Sequence, residues 1–359
     1  MRFFAYIRRE EVDEPVKSVV LKPRRGEARL EPTVVESEAP APATGEIIVR
    51  MAACGLCGTD LEKMRGEYTA SMPVIGHEAV GTVSAVGRGV TEFRTGDRVF
   101  PHHHVPDYSC YLCRKGNETM CDHYRSSNLD PGGFSEYFRV PRWNLEKGGV
   151  LKIPGKMTFE TASLIEPLGC CVRSIGKCAI GPEDSVLVAG AGPVGVMHAL
   201  LLKEMGSRVF ISDISDHRLK MAEDLGAGEA VDARPDVPER VRSGTGGRGA
   251  DVAIVASGSR GAILQGLRSV RKGGKVCIFG VPARGSVLDY DISELYNAER
   301  EVVTSYGAVE EDTKAALKVL SARGAEFGRL VTHRFPLTGF DEAVEAAAGG
   351  AAMKVVVTP

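Results

Sequence analysis

Two short stretches of the chain each place potential metal ligands close together. The first, Cys57-Gly58-Thr59-Asp60, offers a thiol, a hydroxyl and a carboxyl group, and the second, Gly76-His77-Glu78, adds an imidazole and another carboxyl group. Thiolate, imidazole and carboxylate are ligands that zinc accepts, and a catalytic zinc site keeps one position open for water or substrate. The alternative is that a cysteine and a histidine are simply packed in the core. The pattern predicts a catalytic zinc site if folding brings the two stretches together.

A second motif has the spacing of a dinucleotide-binding turn. A predicted apolar strand over 184–189 is followed by a glycine-rich run and a long apolar helix, and the next strand ends on Asp213, 23 positions beyond the first glycine. Such glycines let the backbone approach a pyrophosphate, whose charge lies against the helix N-terminus. Asp213 is expected to accept hydrogen bonds from ribose hydroxyls and to repel a 2′-phosphate, which favours NAD over NADP. The predicted cofactor-binding residues of the run are Gly190, Gly192, Pro193, Val194 and Gly195.

The elements that must position these motifs differ between the two halves of the chain. Short strands and glycine turns prevail up to about residue 167, which predicts a β-rich, barrel-like domain. Strands and helices then alternate, which indicates a doubly wound parallel sheet. We therefore expect an α/β protein whose catalytic domain comprises 1–167 and 306–359, with a dinucleotide-binding domain, 168–305, inserted between them. Residues 1–15 are interpreted as an N-terminal extension that forms a surface strand or an oligomer contact.

Composition narrows the class of protein. The chain has 359 residues, 43% of them hydrophobic and 26% charged, with a formal net charge of −2. This near-neutral balance argues against a nucleic-acid-binding or membrane-surface protein, and no apolar run approaches the roughly 20 residues that span a bilayer. The nine cysteines are an odd number, and no basic segment followed by an apolar run opens the sequence. We therefore expect a cytoplasmic protein without a disulfide framework.

Taken together, these motifs resemble those of the zinc-dependent medium-chain alcohol and polyol dehydrogenases. The run Gly76-His77-Glu78 with the trailing Gly81 and Gly87 matches that family's zinc signature, and the dinucleotide motif follows downstream. Within the family, Ile165-Glu166-Pro167-Leu168 is most similar to the sorbitol and threonine dehydrogenase branch. The resemblance implies a GroES-like catalytic domain with an inserted Rossmann domain, and a homo-dimer or homo-tetramer. It also implies reversible hydride transfer from a secondary alcohol, such as a polyol, sugar or amino alcohol, to NAD.

The same resemblance assigns roles to single residues. It implies that Cys57, His77, Glu78 and Glu166 hold the catalytic zinc, with Glu166 acting directly or through water. Thr59 stands at the position of a proton-relay hydroxyl, and Glu62 replaces the histidine that continues this relay in many relatives, so a carboxylate or a water chain is expected there. Asp60 matches a residue that holds the zinc histidine. Arg218 matches a position beside the adenosine ribose, and Lys354 either contacts the pyrophosphate or is a solvated surface lysine.

A second metal site follows from the resemblance as well. Cys110, Cys113 and Cys121 are similar to the family's structural zinc lobe, in which a fourth cysteine normally stands where this chain has Asp107. Aspartate can serve as a zinc ligand, so we expect a retained structural zinc. The alternatives are an empty lobe or His123 as the fourth ligand.

Three consecutive histidines, His102, His103 and His104, precede the lobe. Because neighbouring side chains on an extended chain point to opposite sides, all three cannot face one way. One of them could contact substrate hydroxyls, or they could be a mixture of packed and solvated imidazoles. Two further readings of the whole chain remain open. One is a simple-alcohol or aldehyde reductase on the same scaffold, and the other is a non-catalytic nucleotide-binding protein.

Overall fold

The computed structural model of the chain describes residues 15–23, 29–66 and 74–359. The interpretation of residues 1–15 as an extension lies outside these residues, apart from Pro15. The chain divides into two compact units. The first unit contains the described residues up to Glu166 together with Val309–Pro359, and the second unit is Pro167–Ala308. This division lies close to the expected boundaries at 167 and 306.

The strands, in chain order, are β1 Val16–Pro23, β2 Leu30–Ser37, β3 Ile47–Leu56, β4 Glu78–Val86, β5 Arg98–Pro101, β6 Tyr137–Val140, β7 Val150–Lys152, β8 Ser185–Ala189, β9 Arg208–Asp213, β10 Glu229–Asp232, β11 Ala250–Val255, β12 Val270–Ile278, β13 Glu301–Thr304, β14 Val331–Pro336 and β15 Lys354–Thr358. The α-helices are α1 Gly58–Arg65, α2 Tyr111–Arg114, α3 Asp122–Ser126, α4 Arg142–Glu146, α5 Phe159–Ala162, α6 Ile165–Cys178, α7 Pro193–Glu204, α8 Asp216–Asp224, α9 Val237–Gly244, α10 Arg260–Ser269, α11 Ile292–Asn297, α12 Glu310–Gly328 and α13 Phe340–Ala348.

The first unit is built on a sheet with the strand order β14-β15-β3-β4-β5-β7, to which β6 adds by pairing with β3. Strand β3 is the centre of this sheet, and its buried residues Ile47 and Val49 pack with Phe134, Phe138 and Phe340 in one hydrophobic core. The β-rich first half that the sequence predicts is therefore confirmed. It also carries short helices, of which α1 follows directly on β3.

The register of β3 determines what lies at its carboxyl end. Gly55 is the partner of Glu78 in the antiparallel pairing of β3 with β4. On the other side of β3, Leu56 is the partner of Val355 in β15. Residues from three distant parts of the sequence therefore meet next to Cys57.

The second unit contains a parallel six-stranded sheet with the order β10-β9-β8-β11-β12-β13. Strand β8 lies between β9 and β11, so the strand order reverses beside it, which is the topological switch point at which doubly wound sheets bind dinucleotides. The all-apolar segment Val186–Ala189 of β8 is buried, as expected for a strand covered on both faces. The predicted doubly wound fold of this unit is confirmed. Among the described residues, no helix combines the length and apolarity that crossing a membrane requires.

Candidate active site

Asp60 joins the two stretches that carry the predicted catalytic zinc ligands. It lies in the first turn of α1 and is fully buried. Its Oδ2 accepts a hydrogen bond from the Cys57 amide at 3.1 Å, and its Oδ1 accepts one from the Gly76 amide at 3.2 Å. The same Oδ1 lies 3.4 Å from Nδ1 of His77. Asp60 therefore positions both stretches, and it contacts His77 as the sequence predicts.

Cys57, His77 and Glu78 form a group that we call the ligand trio. One potential ligand atom from each of them lies within 4.8 Å of the other two. Because Asp60 contacts Nδ1 of His77, the ring presents Nε2 to Cys57 and Glu78, which is the usual arrangement for a metal-binding histidine. A thiolate, an imidazole and a carboxylate are three protein ligands, the number found in catalytic zinc sites. The trio therefore fits a zinc ion with an open position.

Buried charges surround the trio. Burial alone would raise the pKa of Asp60, but His77, Lys63 and the Cys57 amide outweigh it, so this pKa lies below its ordinary value. Burial likewise would lower the pKa of His77, but Asp60 and Cys57 raise it well above the ordinary value. The imidazole and its carboxylate partner thus stabilise each other's charged forms.

Lys354 lies beside Glu78 of the ligand trio and is not exposed to solvent. Its side chain is buried, and Nζ lies 2.6 Å from Oε1 and 2.5 Å from Oε2 of Glu78. It also donates to the carbonyl oxygen of Leu56 at 3.2 Å. The alternative of a solvated surface lysine is therefore wrong, because pairing of β15 with β3 buries residue 354 beside Glu78. The contact with a cofactor pyrophosphate stays a prediction.

Glu166 lies in the first turn of α6 and is buried. Its carboxylate forms a second group with His102 and His103, in which the potential ligand atoms again lie within 4.8 Å of one another. The expected set of four zinc ligands is therefore only partly assembled, since Glu166 belongs to a different group from the trio. It is still close enough for its charge to contribute to the raised pKa of Glu78, which burial causes in the first place.

The two predicted relay residues lie on α1. The hydroxyl Oγ1 of Thr59 is 3.7 Å from Sγ of Cys57. Glu62 is half-buried. Because it follows three residues later, it lies on the same face of the helix as Thr59. Their roles in proton transfer stay predictions.

The predicted structural lobe is assembled. Potential ligand atoms of Asp107, Cys110, Cys113 and Cys121 lie within 4.8 Å of one another. Oδ1 of Asp107 accepts hydrogen bonds from the amides of Cys110 and Ser109, both at 2.7 Å, and these donors hold the pKa of that carboxyl well below its usual range. Three cysteine sulfurs and one carboxylate are a permitted four-coordinate zinc set.

His123 lies outside this group. A nitrogen of its ring is 2.9 Å from the carbonyl oxygen of Val105, and the ring packs against Trp143 with 4.1 Å between centroids. Asp107 rather than His123 thus provides the fourth potential ligand.

The glycine-rich run joins β8 to α7. Gly190 has a φ of +112°, and a Cβ on Gly195 would lie 1.8 Å from the carbonyl oxygen of Gly190, so both positions require glycine. Gly192 is the N-cap residue of α7, and Pro193 begins the helix. The run therefore has the close backbone approach that a pyrophosphate needs, while Val194 lies in the first turn.

Asp213 stands at the end of β9 and supports the same turn. Its Oδ2 accepts a hydrogen bond from the Ala191 amide at 2.8 Å, and its Oδ1 accepts one from the Ser215 amide at 2.9 Å. Nη1 of Arg218 lies 4.0 Å from Oδ2. Each carboxylate oxygen keeps a further lone pair, so Asp213 can still accept from ribose hydroxyls.

Sequence reasoning left the roles of His102 and His103 open, with a contact to substrate hydroxyls as one alternative. It did not single out Glu310. Glu310 begins α12 and is 2% exposed, and its Oε1 lies 3.0 Å from Nδ1 of His102. Nothing in the sequence indicates that contact, because 208 positions separate the two residues.

Comparisons with known proteins cover nearly the whole chain. Residues 43–154 match the family described as alcohol dehydrogenase GroES-like domain, and residues 193–322 match the family described as zinc-binding dehydrogenase. A sorbitol dehydrogenase from Halalkalibacterium halodurans is 32% identical over 335 residues, which cover 91% of this chain and 95% of that protein. An L-threonine 3-dehydrogenase from Deinococcus deserti is 31% identical over 333 residues, covering 90% and 94%.

Solved structures agree with this result. A zinc-binding dehydrogenase from Sinorhizobium meliloti, crystallised with NADP, is 26% identical and superimposes with a TM-score of 0.86. The match covers 97% of this chain and 100% of that one.

Proposed function

Because the chain belongs to the zinc-dependent medium-chain alcohol and polyol dehydrogenases, we propose that it oxidises a secondary alcohol reversibly with NAD. The substrate is a polyol, a sugar or an amino alcohol, in keeping with the sorbitol and threonine dehydrogenases among its relatives. The observation that carries the proposal is the ligand trio, in which Cys57, His77 and Glu78 offer a metal three ligands and leave one position open.

The residues of the chain have separate tasks in this reaction. A bound zinc supplies Lewis acidity, which in proteins lowers the pKa of water from about 15.7 to about 7. Asp60 holds His77 in the orientation that presents Nε2. Thr59, whose hydroxyl lies beside Cys57, accepts the hydroxyl proton of the substrate and at the same time donates its own proton onward. Glu62 passes this proton on, directly or through water, and Glu166 assists at the metal.

NAD is the proposed cofactor because of Asp213. Its carboxylate at the end of β9 is suited to ribose hydroxyls and repels a 2′-phosphate. Arg218, 4.0 Å away, offsets part of this repulsion, so the preference is moderate. We expect kcat/KM to be at least about tenfold higher with NAD than with NADP, or roughly 1.4 kcal/mol.

The proposal is tested by following NAD reduction over a panel of polyols, sugars, their phosphates, 3-hydroxy amino acids and simple alcohols. The matched variant is Cys57→Ser, which is expected to lose both the catalytic zinc and turnover while its circular dichroism spectrum is unchanged. Full activity of Cys57→Ser without metal would refute the proposal. Activity confined to simple alcohols or aldehydes would favour the reductase alternative, and zinc-free wild-type protein would favour a non-catalytic nucleotide-binding protein.

We further propose a homo-dimer or homo-tetramer that works in the cytoplasm. None of the nine cysteines, all of which lie in the described residues, forms a disulfide, which is typical of proteins in a reducing compartment. Native mass spectrometry gives the number of subunits directly, and a monomer at micromolar concentration contradicts the proposed assembly.

A further inference from the structure

Two buried imidazoles beside Glu166 have ring nitrogens without a partner. His102 is fully buried and His103 is 7% exposed. Neither Nε2 of His102 nor Nδ1 of His103 makes a hydrogen bond within the described part of the chain. Buried polar atoms are nearly always hydrogen-bonded, so such atoms indicate a place for a ligand or an ordered water. The carboxylate of Glu166 completes the group.

The orientation of the His102 ring is fixed by the contacts of its other nitrogen, Nδ1, and of its backbone carbonyl group. Its Nδ1 lies 3.0 Å from Oε1 of Glu310, and the hydroxyl of Tyr108 donates to Oε2 of the same carboxylate. The side-chain amide of Asn144 donates to the carbonyl oxygen of His102 at 2.7 Å. Because a carboxylate only accepts, Nδ1 carries a proton, and in the neutral ring Nε2 then keeps a lone pair. His102 therefore presents a fixed acceptor to the group.

His103 lies between this acceptor and the ligand trio. Its ring centroid is 5.1 Å from that of His77 and 5.4 Å from that of His102. Its Nδ1 is the ring nitrogen that lacks a partner. A neutral imidazole offers one donor and one acceptor. A hydroxyl group has the same pair of functions.

We propose that His102 and His103 bind a second hydroxyl group of the substrate, next to the hydroxyl that is oxidised, and so select vicinal diols and polyols over simple alcohols. This inference rests on the proposed function. The distance between His103 and His77 places the second hydroxyl close to the ligand trio, which fits a neighbouring carbon atom. This second hydroxyl group donates a hydrogen bond to Nε2 of His102, and its oxygen accepts one from the donor nitrogen of His103.

A second metal ion is the competing occupant of the same group. His102, His103 and Glu166 are ligand types that a divalent metal accepts. Glu166, however, is also assigned to the catalytic metal, so only two imidazoles would belong to the second ion alone. Catalytic zinc sites use three protein ligands and structural sites four. The hydroxyl is therefore the occupant that the group fits better.

The test compares butane-2,3-diol with butan-2-ol, which differ by the second hydroxyl. We expect wild-type kcat/KM to be at least about tenfold higher for the diol, because an unpaired buried polar group penalises the substrate that lacks its partner. His103→Phe should remove this preference by lowering kcat/KM for the diol about tenfold or more, with butan-2-ol changed less than about threefold. His103→Gln, which keeps a donor and an acceptor, should restore part of it. His333→Phe is the matched control in the first unit and should change neither substrate.

Each other outcome is decisive. A wild-type preference below about threefold overturns the subsite whether or not the variants fold. Equal losses on both substrates in His103→Phe indicate a structural role and overturn it as well. A third zinc per chain in the wild type that is lost in His103→Phe, measured by plasma mass spectrometry, replaces the hydroxyl with a metal. If the zinc-loaded wild type oxidises neither alcohol nor any substrate of the wider panel, the proposed function fails and the subsite fails with it.

Discussion

At the scale of single residues, Gly55 shows how closely the candidate site is packed. It is the β3 partner of Glu78, and a Cβ at this position would lie 1.9 Å from Oε2 of Glu78 and 2.9 Å from Cε of Lys354. Real Cβ contacts below 3.0 Å are essentially never seen, so one of these groups would have to move. The missing side chain of Gly55 is therefore what allows the carboxylate and the ammonium group to meet beside Cys57.

We expect Gly55→Ala to lower zinc content and turnover. The added methyl group displaces the Glu78 carboxylate from the trio and from Lys354, and overpacking of this kind typically costs about 1–3 kcal/mol of stability. Zinc per chain, kcat and the unfolding midpoint measure the effect. Gly58→Ala is the matched control, because nothing lies within 4 Å of a Cβ built there. A Gly55→Ala protein with full zinc and wild-type kcat would contradict this account.

At the scale of elements, Asp251 ties together the amino ends of neighbouring strands in the parallel sheet. Its Oδ2 accepts from the Ser185 amide of β8 at 2.8 Å, and its Oδ1 lies 2.6 Å from Nε of Arg271 in β12. Burial would raise the pKa of Asp251, but Arg271, the Ser185 amide and Arg248 lower it further than burial raises it. The ionised carboxylate therefore stabilises three neighbouring strands of the second unit, β8, β11 and β12.

The pH dependence of this contribution has a definite sign. The folded pKa of Asp251 lies below the unfolded value of about 3.9, so its stabilisation is present above about pH 4 and disappears as the pH falls through the folded pKa. We expect Asp251→Asn to lose about 1–2 kcal/mol at pH 7. Thermal unfolding between pH 3 and pH 7 should show the variant and the wild type converging towards the acid end. The exposed Asp289→Asn is the control, and a pH-independent difference for Asp251→Asn would exclude the charge as its cause.

At the scale of the whole molecule, the first unit holds the ligand trio and, apart from it, a lobe group formed by Asp107, Cys110, Cys113 and Cys121. The ligand trio lies at the end of β3, whereas the lobe group lies in the segment from Asp107 to Cys121 that carries α2. A catalytic site with three protein ligands is open to exchange, while a four-ligand lobe is closed. The two metals should therefore differ in function and in retention.

We expect two zinc ions per chain in the wild type. Cys113→Ser should lose one zinc and several degrees of melting temperature, because a structural zinc contributes to folding free energy. A brief treatment with a chelator should instead remove the open-site zinc first and abolish turnover. Zinc per chain, activity and melting temperature measured in parallel separate these cases. Unchanged zinc content and melting temperature in Cys113→Ser would show that the lobe does not hold metal.

Features that depend on residues close together in the sequence could be predicted without the structure. The glycine-rich run between β8 and α7 needs glycine for reasons of backbone geometry that act over six residues, and Asp213 follows at the end of the next strand. The alternation of strands and helices after residue 167 likewise reflects burial of whole elements. The doubly wound fold and the zinc and dinucleotide motifs follow from such short-range constraints.

The tertiary structure alone decided which charged groups meet. The ammonium group of Lys354 contacts the Glu78 carboxylate, although 276 positions separate the two residues, because β15 pairs with β3. Glu166 lies with His102 and His103, outside the trio, and α12 brings Glu310 against His102. None of these contacts has a local signal, since strand register and helix placement result from burial of the whole core rather than from the residues that finally touch. The sequence by itself determined the ligand types and their motifs, whereas packing determined the neighbours that set their charge and orientation.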